Sequence, residues 1–146
     1  MCRAEKSPTK LKLRGDSIVF LSAISILVAE YDEAIAWYCS KLGFELVVDT
    51  PMGGGKRWVV VTPNAEAQTR IILAKASGPE QTAWIGRQMG GRVGFFLQTD
   101  AFDEAYAKMV EAGVVFREEP RSEPYGKVVV FDDCYGNGWD LIEPAD

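Results

Sequence analysis

The chain has 146 residues, 47% of them hydrophobic and 25% charged, which bounds it to one compact globular unit or two small merged ones. Lys plus Arg is 16 against 21 Asp plus Glu, a net charge of −5 without a basic cluster, which argues against a nucleic-acid partner because phosphate contact depends on concentrated cations. There is no histidine, and Cys2, Cys39 and Cys134 show no CxxC spacing, so a disulfide framework, a zinc knuckle and any His-activated nucleophile are excluded.

In chain order, residues 1–17 read as a polar N-terminal arm. Lys6, Lys10, Lys12 and Arg14 precede the apolar run Ile18–Ala29, an arrangement that mimics a signal peptide. The run is rich in β-branched residues, lacks a small-x-small cleavage site, is far too short to span a bilayer and passes straight into an amphipathic helix. It reads as a buried strand of a cytoplasmic protein with no membrane partner. The helix that follows places Tyr31, Ala34, Ile35, Tyr38 and Leu42 on one face, with Asp32 and Glu33 in its first turn and Gly43 at a left-handed C-terminal cap. Three extended runs come next, Phe44–Asp49, Arg57–Pro63 and Arg70–Ala74. The GGGK stretch, Gly53–Lys56, is no phosphate loop, since Arg57 and a Val-rich strand follow it instead of Ser or Thr and a helix. It reads as a hairpin tip whose glycines let it close over a mouth. GRQMGGR, Gly86–Arg92, reads as a solvated connector.

The grammar then repeats. Displaced by 71 positions, SILVAEYDEAIAWY (25–38) falls on FLQTDAFDEAYAKM (96–109), and Asp32, Glu33, Ala34 and Ala36 meet Asp103, Glu104, Ala105 and Ala107. The second helix carries Phe102, Ala105, Tyr106 and Met109 and ends at Gly113; the runs Val114–Glu118, Lys127–Asp132 and Trp139–Glu143 follow. The expected organisation is a single domain over 18–144, made of module 18–77 and module 91–144 joined by a linker, 78–90. Each βαβββ module has one helix for one sheet face, and its other face needs the sister module, a partner chain or a ligand.

The duplicated βαβββ pattern, with VAEYDEAIAWYCSKLGFELV near its start, SEPYGKVVVF later and DDCYGNGWDLIEP at its end, resembles the vicinal oxygen chelate superfamily: glyoxalase I, bleomycin-resistance proteins and extradiol dioxygenases. The resemblance covers residues 18–144. It implies an α+β fold with a mixed eight-stranded curved sheet, a cavity inside the curve and a homodimer. Metal-using relatives carry four ligands on the first and last strands of each module, and those positions here are Ala23, Ile72, Gly94 and Asp140. Three of the four cannot coordinate a metal, so the expectation is no cofactor and no metal site.

Strand alternation points Ala23, Ser25 and Leu27 of the first module, and Gly94, Phe96, Gln98 and Asp140 of the second, into the cavity. Trp58 supplies an apolar wall, and Tyr125 joins the same ligand-binding set. Large flat apolar groups with a few hydrogen-bonding ones suit a small-molecule cavity, and side chains filling one another's space is the competing reading. Asp140 is open to two readings: a desolvated carboxylate that accepts from a ligand or attracts a cationic one, or a structural partner of Arg57, Arg70, Arg92 or Lys127. The expected function is metal-independent binding of a small molecule, partly aromatic or cationic. The alternative is a lyase, isomerase or dioxygenase-like enzyme using Asp140 as acid–base or in an atypical metal site. Metal analysis of untagged protein is expected to find well under one equivalent per chain; zinc, nickel or iron that stays stoichiometric through dialysis would overturn this.

Overall fold

A computed structural model describes residues 11–12 and 17–146; Cys2, Lys6, Lys10 and Arg14 lie outside the described residues. The elements are β1 (Leu11–Lys12), β2 (Ile18–Val19), β3 (Ala23–Val28), α1 (Tyr31–Leu42), β4 (Glu45–Gly53), β5 (Lys56–Thr62), β6 (Arg70–Lys75), α2 (Gly78–Ala83), β7 (Val93–Gln98), α3 (Phe102–Ala112), β8 (Val115–Phe116), β9 (Arg121–Glu123), β10 (Gly126–Asp132) and β11 (Gly138–Pro144). The strands divide into a four-stranded sheet, β3-β6-β5-β4, and a five-stranded one, β7-β11-β10-β8 with β9 also on β10. In both, the first strand of the module runs parallel to the last while the other pairs are antiparallel, so the two halves share one α+β plan. β1 and β2 form a separate hairpin. The apolar run does not start as a buried strand: Ile18, Val19, Phe20 and Leu21 are 39–63% exposed, and burial begins at Ile26.

α1 forms where the periodicity placed it. Tyr31, Ala34 and Tyr38 are buried, and Gly43 ends the helix at φ 72°, a conformation that an L side chain rarely adopts. α3 repeats this and buries Phe102 and Met109. Both helices pack on one shared core, built from the even-numbered positions of β3 (Ile26, Val28) and the odd-numbered positions of β10 and β11 (Val129, Phe131, Trp139, Leu141). Trp139 is its centre, stacked on Phe95 at 5.0 Å and Phe131 at 6.0 Å and in contact with Tyr38 and Phe44 across the module boundary.

Beside Trp139 sits a buried carboxylate. Asp133, 5% exposed, accepts the Tyr38 hydroxyl at 2.5 Å and the Asn137 side-chain amide at 2.9 Å on Oδ2. Its Oδ1 accepts the backbone N–H groups of Tyr135 and Asn137, each at 2.9 Å. Burial first, then the Asp133 charge and hydrogen bond, hold the Tyr38 phenol protonated far above its usual range. Tyr38 is on α1 and Asp133 follows β10, so this contact ties the first half of the chain to the second. Two more ties flank it. Lys41 Nζ donates to Ala112 O at the C-terminal end of α3, at 2.5 Å, where a cation suits the helix dipole. The Tyr135 hydroxyl donates to Glu33 Oε1 at 2.7 Å.

Tyr38→Phe removes one of four donors and should lower unfolding stability by about 1–2 kcal/mol in urea titrations. Asp133→Ala leaves all four donors without an acceptor and should cost about 3 kcal/mol or more. Equal effects of the two substitutions would refute the carboxylate-centred account.

Candidate functional site

Because both sheets turn one face to the shared core, their other faces look away from it. The outward face of β3-β6-β5-β4 holds a pocket of about 620 Å³. Ser25, Trp58, Ile72 and Ala74 line it from the strands, and Trp58 keeps 43% of its surface exposed. Gly54, Gly55 and Lys56, the tip of the β4–β5 hairpin, form one wall. Arg57 fixes the base of that hairpin. Its guanidinium donates to Asp49 at 3.0 and 2.7 Å and lies 3.0 Å from Asp32, its backbone N–H donates to the Tyr31 hydroxyl at 3.1 Å, and its charge sits 5.0 Å over the Tyr31 ring.

The outward face of the second sheet carries Phe96, 67% exposed, beside Asp140, which is its register partner on β11. Asp140 forms no ion pair among the described residues, and its Oδ1 is buried without a hydrogen-bond partner. Two of the four cations considered as partners are engaged elsewhere, Arg57 with Asp49 and Asp32, and Lys127 with Asp103. The nearest cationic influence is Arg121, itself held by Glu118 at 3.0 Å and Glu123 at 2.7 Å. Desolvation pushes the Asp140 carboxyl above its usual value; Arg121 pulls it down and Glu118 pushes it up.

The nine residues singled out from the sequence are not gathered into one cavity of one chain. Ser25 and Trp58 share the pocket, which includes none of Gly94, Phe96, Gln98, Tyr125 and Asp140. Ala23 and Leu27 are half-buried on β3. Along the outer edge of that strand, the Gln88 side-chain amide accepts the Leu27 N–H at 2.9 Å and donates to Ser25 O at 3.0 Å, a pair of bonds like those a neighbouring strand would make. Gly94 does not open onto empty space: a Cβ there would stand 2.2 Å from Met89 Cγ, so glycine is what lets the linker side chain lie on β7. Gln98 lines two shallow clefts at the end of β7. Tyr125 is 55% exposed, and its hydroxyl accepts from Arg121 at 3.3 Å. Sequence reasoning placed Ile72 only as the counterpart of a metal-ligand position and left it out of the binding set, and it missed Lys75 as a lining residue and Gln88 as an edge partner. Ile72 carried a signal, since alternation along Arg70–Ala74 places it with Ala74 on the pocket side; Gln88 carried none.

Among the described residues, no group of three or more His, Cys, Asp or Glu side chains is placed to hold a metal ion, and no helix is long and apolar enough to cross a membrane. Cys134 is half-buried; burial first, then Asp133 and Glu33, push its thiol up to about 12, which makes it a poor nucleophile.

The model of the Glyoxalase/Bleomycin resistance protein/Dioxygenase superfamily matches residues 20–141, and the chain belongs to that superfamily. It is 47% identical over 124 residues to an uncharacterized protein of Shewanella frigidimarina (strain NCIMB 400), covering 84% of this chain and 92% of that one. Among solved structures, UcmS2 is similar with a TM-score of 0.75 and 32% identity, covering 85% of this chain and 97% of that one. TnmS3, an antibiotic binding protein from Streptomyces sp. CB03234, is similar with a TM-score of 0.70 and 29% identity, covering 88% and 98%.

An acid whose folded pKa lies above its unfolded value binds its proton more tightly in the native state. Its favourable contribution is present below the unfolded carboxylate value of about 3.9 and is lost as pH rises through the folded value. Ionised Asp140 therefore weighs against folding at neutral pH. Asp140→Asn should raise the urea midpoint at pH 7, with the gain fading as pH falls through the carboxylate range and gone near pH 3. A lower midpoint for the variant at pH 7 would mean that Asp140 has a stabilising partner.

Proposed function

We propose that the protein is a metal-independent binder of a small, partly aromatic molecule, held against the outward sheet faces, and that it works as a cytoplasmic homodimer. The organisation that goes with this reading is a single domain over 18–144, with module 18–77, linker 78–90 and module 91–144. The observation that carries the proposal is the pocket beside Trp58: about 620 Å³, apolar at Trp58, Ile72 and Ala74, with Ser25 and Gln81 as hydrogen-bonding points. The similarity to a protein described as antibiotic binding supports it.

What supports the dimer is how the chain divides its candidates. Phe96 and Asp140 look outward from one sheet and Trp58 from the other. A second copy brings the Phe96 face of one chain to the Trp58 face of its partner, and a twofold axis makes that contact twice. Asp140, with an unpartnered Oδ1, then has an acceptor to offer a ligand enclosed between the two faces.

Light scattering at micromolar concentration should report about twice the 16.1 kDa chain mass. Phe96→Arg, at a position already 67% exposed, should return the chain mass and abolish the ligand-induced change in Trp58 fluorescence. A chain that stays monomeric over a wide concentration range would sink the dimer. Turnover of the bound molecule, lost in Asp140→Asn, would make the protein an enzyme instead.

A further inference from the structure

The pocket beside Trp58 differs in charge from the chain that contains it. The protein carries −5, yet the lining that one chain gives the pocket holds three cations, Lys56, Arg57 and Lys75, and no Asp or Glu. In the proposed dimer the partner's Asp140 faces it from the other sheet, where an acceptor suits a donor on the ligand's ring and not its acid. The three cations are not equivalent. Arg57 is immobilised by Asp49 and Asp32, and Lys75 Nζ lies 3.3 Å from Glu30. Those acids stand behind the cations and do not line the pocket. Asp32 is 87% exposed and Glu30 65%, so water and salt screen them. Lys56 has no ion-pair partner among the described residues. It directly follows Gly53, Gly54 and Gly55, all at positive φ with nothing within 4 Å of where a Cβ would stand. Its ammonium is thus unpaired among the described residues, and it is carried by a hairpin whose base Arg57 holds still.

Resting on the reading of this pocket as the ligand seat, we propose that it takes an aromatic anion, with the ring on the Trp58 indole and a carboxylate or similar acid at the Lys56 ammonium. The indole supplies a flat apolar surface, and a charge-assisted hydrogen bond in a half-enclosed site supplies the preference for an acid. Ser25, Ser77 and Gln81 offer further hydrogen bonds to the acid or to ring substituents.

Three probes with one ring separate charge from shape: 1-naphthoate, 1-naphthalenemethanol and 1-naphthylmethylammonium, titrated by calorimetry into the whole protein at low and high salt. Naphthoate should bind about tenfold more tightly than the alcohol at low salt, and the margin should shrink as salt rises. Lys56→Gln, at an exposed position, should remove the margin, bringing the affinity for naphthoate to that for the alcohol in the same variant. An ammonium probe that binds as tightly as naphthoate, or a naphthoate margin that survives Lys56→Gln, overturns the aromatic-anion assignment while leaving the pocket as an aromatic seat. Failure of all three probes to bind overturns the assignment and counts against the ligand seat itself.

Discussion

The fold turns on one buried charge. Asp133 sits at the corner between β10 and β11 and takes four hydrogen bonds, three from its own turn and one from Tyr38 on α1. A carboxylate removed from water without partners is strongly destabilising, so the corner is stable only when all of these donors arrive together. Three come from residues within four positions in the chain, which shapes the Tyr135–Asn137 turn locally. The fourth comes from 95 residues away and exists only when α1 is docked. Local turn and global packing thus answer to the same two oxygen atoms.

That constraint also decides which strand faces are left outside the core. Docking α1 against the second half encloses Trp139, Phe131 and Phe95 on the helix side of the second sheet, and Ile26, Val28 and Leu73 on that of the first. Alternation along the strands then sends their neighbours outward: Asp140 from between Trp139 and Leu141, Phe96 next to Phe95, Ser25 next to Ile26. Parity separates core from outward residues at these positions of β3, β7 and β11, whereas β5 and β10 bury neighbours of both parities, Val59 with Val60 and Val128 with Val129. Asp140, whose Oδ1 has no hydrogen-bond partner among the described residues, weighs against stability when ionised.

Much of this was legible in the sequence, for reasons that can be named. The 3.6-residue period of α1 and α3, the glycines that end them and the strand alternation are local signals, and all are found as expected. The mixed pairing within each sheet is what the resemblance to the superfamily implied. What failed to show was anything fixed by distant partners. Asp140 drew attention because it lies among large apolar residues, while Asp133, seven positions earlier, is the more deeply buried acid, and only Tyr38 reveals it. The run from Ile18 to Leu21 is apolar enough to read as core but lies outside it, because hydropathy does not say which apolar segment has a partner within the chain. Of the candidate site, parity identified the faces, and nothing in a linear pattern shows that the two faces belong to different sheets.

The side-chain amide of Gln88 on the edge of β3 bears on how a duplicated chain assembles. β3 and β7 are the first strands of the two halves and run parallel to equivalent partners, β6 and β11, so a collapsing chain has two similar places for each. Exchange of this kind is a characteristic misassembly of repeat proteins. The linker breaks the symmetry. Gln88 matches the edge of β3 alone, and Met89 rests on Gly94, a position whose counterpart in the first unit, Ala23, carries the Cβ that this contact excludes. A segment with no counterpart in the repeat thereby gives each half an address, and folding can tell the first strand of one from the first strand of the other.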